Sequence, residues 1–172
     1  AFEKTEEIAA LFDARVSLGV CKVQIPPMSN WLANSVLGFD SVVAGENQKS
    51  SDNVDALVAA FFAAIPADRQ GEITVVDSPG MVTPWALARR ARTHDLAIVP
   101  VYGQREAASV IEGMVFESGR PVVILPQYDT AGEACEHVAV AWDGSRVAAR
   151  ALADAMPFCR QAKTVSIVQV TG

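Results

Sequence analysis

The sequence predicts an α/β protein built on a parallel sheet covered by helices on both faces. Three observations carry this. Strand-like and helix-like segments alternate along the chain. Several strand-like segments, residues 73–76, 96–101 and 121–125, are almost wholly apolar, as strands buried on both faces are. The composition, 51% hydrophobic and 20% charged over 172 residues, excludes a disordered or collagen-like chain. A chain of this length buries roughly 70% of its unfolded surface, so its core needs no staples.

Residues 3–17 read as an amphipathic helix. Ile8, Leu11, Phe12 and Val16 share one face, and Glu3, Glu6 and Glu7 sit near the start, where the helix dipole favours acids. Residues 20–25 form a strand in which Cys21, Val23 and Ile25 alternate with Lys22 and Gln24, stopped by Pro26 and Pro27. Residues 28–52 are a long connection with an apolar patch (Trp31, Leu32, Val36, Leu37, Phe39) and a polar run over 46–52. Connections this long are more often lids or mobile loops than plain turns.

The second helix spans 53–65, with Leu57, Val58, Phe61, Phe62 and Ile65 as a broad apolar stripe against a sheet. A strand at 73–76 follows. Thr83 caps a helix that has Pro84 at its first position and runs through Arg92. The strand 96–101 leads to a helix over 106–116 with Val110, Ile111 and Met114 inward, then to the strand 121–125. After a loop at 126–136 come a strand at 138–142, a helix at 146–156 and a strand at 165–170. Crossovers between parallel strands are right-handed, and ligands of such sheets bind beyond the strands' carboxyl ends.

The two ends of the chain resemble each other. At a spacing of 144, Ile8, Leu11 and Phe12 meet Leu152, Ala155 and Met156, and Cys21 and Val23 meet Val165 and Ile167. The strand at 138–142 would have its counterpart before residue 1. The expectation is a first unit over 1–136 that lacks its first strand. Residues 137–172 are then the opening of a second unit, which either belongs to a longer tandem or completes the first sheet.

Charge and cysteines narrow the function. The net charge of −6 argues against a nucleic-acid or anionic-membrane surface. The longest apolar run, 56–65, is about half of what a membrane helix needs. Cys21, Cys135 and Cys159 are scattered, with no C-x-x-C, and only His94 and His137 are available, so a zinc site is not expected. Free thiols, and residues 1–17 without an apolar signal core, point to the cytoplasm.

The sharpest motif runs from Val140 to Arg146, an apolar strand entering Asp143-Gly144-Ser145 and then a helix. Asp143 can accept from a ribose hydroxyl, Gly144 permits a tight turn, and Ser145 with the free amides of the helix start can face a phosphate. A simple turn with Ser145 as N-cap explains the same residues. Asp77-Ser78-Pro79-Gly80 lacks a G-x-S-x-G frame and reads as a turn. His94 and the cluster Arg89, Arg90 and Arg92 read as a solvated helix end, where cations are favoured.

The stretch HVAVAWDGSRVAARALADAMPFCRQAKTVSIVQV, residues 137–170, resembles the opening strand-helix-strand of a universal stress protein domain. ITVVDSPGMVTPWALARRARTHDLAIVPVYG, residues 73–103, is similar to that family's third strand, third helix and fourth strand, and SGRPVVILP, residues 118–126, to its run into the fifth. The resemblance implies a five-stranded parallel sheet, in a homodimer or a tandem pseudo-dimer. Many members bind ATP through G-x-x-G-x9-G-[ST] after the fourth strand. Gly103 fits the first glycine, but the second position is Glu106 and the third Phe116, while Gly113 is out of step. A carboxylate where amides should cradle phosphate repels the ligand. The resemblance thus implies a regulatory, non-catalytic stress-response protein without tight ATP binding in its first unit. The alternative is an ATP-binding protein or slow ATP hydrolase using Asp143, Gly144, Ser145 and Gly103. An apolar edge strand over 122–125, from Val122 to Leu125, invites self-association.

Overall fold

A computed structural model of the chain describes residues 1–26, 39–101, 105–126 and 135–169. Two compact units are present, Ala1–Gln127 and Tyr128–Gly172. Among the described residues, the six strands form three two-stranded parallel pairs, two in the first unit and one in the second. The parallel α/β architecture agrees with the sequence; a continuous five-stranded sheet is not what the structure contains.

In the first unit, α1 (Phe2–Leu11) buries Ile8 and Ala9. It ends six residues short of the expected helix, because Asp13 turns to φ +48° and Ala14 N–H closes back on Ala9 O at 2.9 Å. Val16, expected on the helix face, instead opens β1 (Val16–Gln24) opposite Gln70 of β2 (Gln70–Pro79). The pair is parallel, running from Leu18 opposite Ile73 to Gln24 opposite Pro79. β2 is longer at both ends than the apolar run 73–76, since pairing with β1 carries the ladder through Glu72 and Asp77.

The polar run at 46–52, expected in a loop, is helical. It belongs to α2 (Phe39–Ala64), where Lys49 pairs with Glu46 at 2.6 Å and Gln48 Nε2 donates to Asp52 Oδ1 at 2.8 Å. Such i,i+3 and i,i+4 pairs support a solvated helical face that composition alone reads as a loop. Trp31, Leu32, Val36 and Leu37 lie outside the described residues. Of the expected α2 stripe, Phe61 is fully buried and packs edge-on to Phe2, with ring centroids 6.1 Å apart; Phe62 is 52% exposed.

The second pair, β3 (Ala97–Val101) with β4 (Val122–Pro126), has Ala97 opposite Val122 and Val101 opposite Pro126. Two helices cover it, α3 (Pro84–Ala91) and α4 (Arg105–Glu117). Ala88, Ala91, Ala97, Val99 and Met114 form the core, with Leu87, Val110, Ile111 and Val122 packed on it. Thr83 holds the N-cap position of α3 but makes no side-chain hydrogen bond there; Pro84 follows as the first helical residue, as the sequence predicts.

In the second unit, β5 (His137–Ala141), α5 (Arg146–Gln161) and β6 (Thr164–Val168) make a parallel pair joined by one helix, with His137 opposite Thr164 and Ala141 opposite Val168. α5 continues through Pro157 beyond the expected end at 156.

The order helix then strand recurs in the two units, as α1–β1 and α5–β6. The two helices have 10 and 16 residues and end at Leu11 and Gln161, so they do not themselves fix the expected spacing of 144. Gln24 O accepts from Gly80 N–H, so Gln24 faces β2, and Val23 and Ile25 face the opposite edge. Val168 O accepts from Trp142 N–H, so Val168 faces β5. At a spacing of 145, Val168 stands against Val23, and the edge of β6 that bears β5 stands against the edge of β1 that faces α2. That spacing sets Val20, Val23 and Gln24 against the identical residues Val165, Val168 and Gln169.

Candidate functional site

The Asp143-Gly144-Ser145 turn sits where the sequence places it, between β5 and α5. Gly144 has φ +78°, which L side chains rarely adopt, so the reversal depends on glycine. Ser145 N–H donates to Asp143 Oδ1 at 2.8 Å, and Ser145 Oγ accepts from Ala148 N–H at 3.1 Å. The Ser145 hydroxyl and then its N–H hold the Asp143 carboxyl below the ordinary aspartate range. Asp143 is exposed and ionised, and Ser145 is spent as the N-cap. Asp143 Oδ1 has its bond within the turn, and the carboxylate as a whole is exposed. The geometry thus accounts for the turn-and-cap reading without a ligand, and leaves an exposed carboxylate at the carboxyl end of a parallel strand.

The glycine spacing meets a helix. Gly103 lies outside the described residues. Positions 106 and 116 both fall within α4, and Phe116 projects outward, 82% exposed. Position 106 lies in the first turn of α4, whose N–H groups are not bonded within the helix, whereas the N–H of position 116 is bonded within it. Gly113, out of step with the motif, has a packing role instead: a Cβ there would lie 2.6 Å from Pro84 Cβ. It lets α4 approach the start of α3.

Ser78 is the residue that sequence reasoning undervalued. Read as part of a turn, it lies near the end of β2, fully buried, and its Oγ has no hydrogen-bond partner. Such a group costs about 1–3 kcal/mol in desolvation. It borders a cavity of about 480 Å³ at the carboxyl ends of β1 and β2, with Gln24, Asn47 and the exposed Asp77 around it. A turn signature cannot report burial, so the sequence held no sign of this.

The basic cluster is structural. Arg90 pairs with Glu72 at 3.2 Å, and Arg92 donates through Nε and Nη2 to Glu117 O. Arg120 in turn donates to Arg92 O, and His94 Nδ1 lies 3.0 Å from Arg90 O. These bonds close the carboxyl end of α3 against β2 and α4. Cys21, Cys135 and Cys159 are not joined in disulfides. Among the described residues no three His, Cys, Asp or Glu side chains are grouped to hold a metal, and no helix is long and apolar enough to cross a membrane. No family model, curated protein or solved structure matches the chain.

Proposed function

We propose that the chain is a regulatory, non-catalytic protein of the universal stress type, acting in the cytoplasm through partner contacts and without tight ATP binding in its first unit. The observation that supports this reading best is position 116, where the motif's third glycine would stand: it is Phe116, inside the last turn of α4, with its backbone N–H committed to the helix. The parallel strand-helix-strand units and the resemblance of their sequences to that family lend further support. Self-association through the edge strand β4 belongs to the same proposal, since Ile124 on it is 46% exposed. Isothermal titration of the chain with Mg-ATP tests the reading. No micromolar binding is expected, and a micromolar dissociation constant that survives Asp143→Asn would contradict it.

A second reading, an adenine-nucleotide binder or slow ATP hydrolase, is favoured by one observation: the ionised, exposed Asp143 ahead of the α5 N-terminus. It predicts binding that Asp143→Asn abolishes. Titration of the two proteins side by side separates the readings.

A further inference from the structure

β1 has one edge paired with β2 and another that faces α2. On the second edge, Val23 N–H donates to Ser50 Oγ at 2.9 Å and Ile25 N–H donates to Asn47 Oδ1 at 2.7 Å. Asn47 Nδ2 returns a bond to Ile25 O at 3.1 Å. The Asn47 carboxamide thus does for Ile25 what the peptide group of a neighbouring strand would do. Beside this edge runs a cavity of about 370 Å³ between β1 and α2, lined on its apolar side by Val20, Val54 and Leu57. No described strand joins β1 to β3, although both lie under α3: Leu87 comes within 3.4 Å of a Cβ placed on Gly19 and also packs on the core around Val99.

The internal repeat says what such an edge accepts. At the spacing of 145, three of the nine β1 residues recur, and the edge of β6 that stands against the α2 side of β1 bears β5 in parallel. That pairing buries little, since all five β6 residues are exposed. The slot at β1 offers the same ladder with an apolar wall.

We propose that the edge of β1 facing α2 is a strand-acceptor site, and that its occupant is β5 of a second copy of this chain. Carrying the β5–β6 register over by 145 residues sets His137 opposite Gly19, Val138 opposite Val20, Ala139 opposite Cys21, Val140 opposite Lys22 and Ala141 opposite Val23. Asn47 and Ser50 hold the edge until the strand displaces them, which keeps an otherwise open edge from indiscriminate pairing. A second copy is the occupant because reciprocal exchange makes the contact twice in one closed dimer. One five-residue strand alone falls short of the roughly 1,200 Å² that stable interfaces bury. The proposal stands on strand geometry and is independent of whether the chain binds ATP.

Disulfide trapping in the full chain tests it. In a Cys135→Ser, Cys159→Ser background, Ala139→Cys is combined with the native Cys21. Directly opposed residues on neighbouring strands lie about 4.8 Å apart, within disulfide range. Unlabelled and ¹⁵N-labelled chains are mixed, oxidised mildly, digested and weighed. Disulfides joining light to heavy chains are expected for Ala139→Cys, and not for Val138→Cys or Val140→Cys, whose side chains face the other side of the sheet. A second pair, Val23→Cys with Ala141→Cys in Cys21→Ser, is expected to cross-link in the same way. Adding Asn47→Ala and Ser50→Ala should speed trapping by roughly fivefold per hydrogen bond removed. The proposal is overturned by links found only within single chains, by equal yields at positions 138–140, or by no link from either pair in proteins with wild-type circular dichroism. An unchanged trapping rate on removing Asn47 and Ser50 would overturn their role at the edge.

Discussion

Ser78 and Asp143 show how far single residues can be read. Asp143 was legible as a turn residue because Asp-Gly-Ser before a helix has few other uses, and its carboxylate does bond Ser145 N–H. A carboxyl with a lower pKa folded than unfolded stabilises the fold above its unfolded pKa, and the contribution is lost as pH falls through the folded pKa. Asp143 is therefore expected to titrate, by carboxyl-detected NMR, below the aspartates of the unfolded chain, and to move upward in Ser145→Ala. An unshifted midpoint would contradict the assignment. Ser78 was not legible, because its distinguishing property is burial without a partner. Replacing it by alanine removes an unsatisfied hydroxyl with little loss of packing. Ser78→Ala should raise stability by about 1 kcal/mol in urea denaturation; a loss of stability would mean that the hydroxyl has a partner.

Among the elements, type was easier to read than extent. The continuous apolar runs identified the strands now seen as β3 and β4 because burial on both faces removes the polar alternation. Boundaries failed where a local feature overrode periodicity. Asp13 in the left-handed region cut α1 short, and the paired charges of 46–52 extended α2 into a segment that looked like loop. The contact between α3 and α4 was invisible for a different reason. Gly113 looked like a displaced motif glycine, whereas its place is fixed by Pro84 lying too near for a Cβ. Alanine is the better helix former by about 1 kcal/mol. Gly113→Ala should nevertheless destabilise the protein, by about 1–3 kcal/mol, because a rigid proline ring cannot yield without moving a helix. Thermal unfolding of the variant decides the sign, and a raised melting temperature would show that α4 can shift without cost.

At the scale of the whole molecule, the parallel α/β class was legible and the sheet arrangement was not. The resemblance implied five strands side by side, but β1 and β2 pair apart from β3 and β4, with side chains of α2 on the β1 edge. Which strands meet depends on groups distant in sequence, and no local pattern encodes Asn47 reaching Ile25. The helix-then-strand order shared by the two ends was legible too, and a spacing of 145 brings more identical strand residues together than 144 does. Self-association at the outer edge of β4 belongs to this scale. Ile124→Lys should weaken any dimer formed there, because a charge facing its symmetry mate on an edge strand opposes pairing. Sedimentation equilibrium would show a lowered association constant, and an unchanged one would place the contact elsewhere.

The regulatory reading depends most on Glu106 and Phe116 standing where the motif's second and third glycines would be. Calorimetric titration with Mg-ATP is the most direct measurement of it. The account predicts no saturable heat in the micromolar range; saturable micromolar binding that survives Asp143→Asn would contradict it, since the nucleotide would then be held by the first unit.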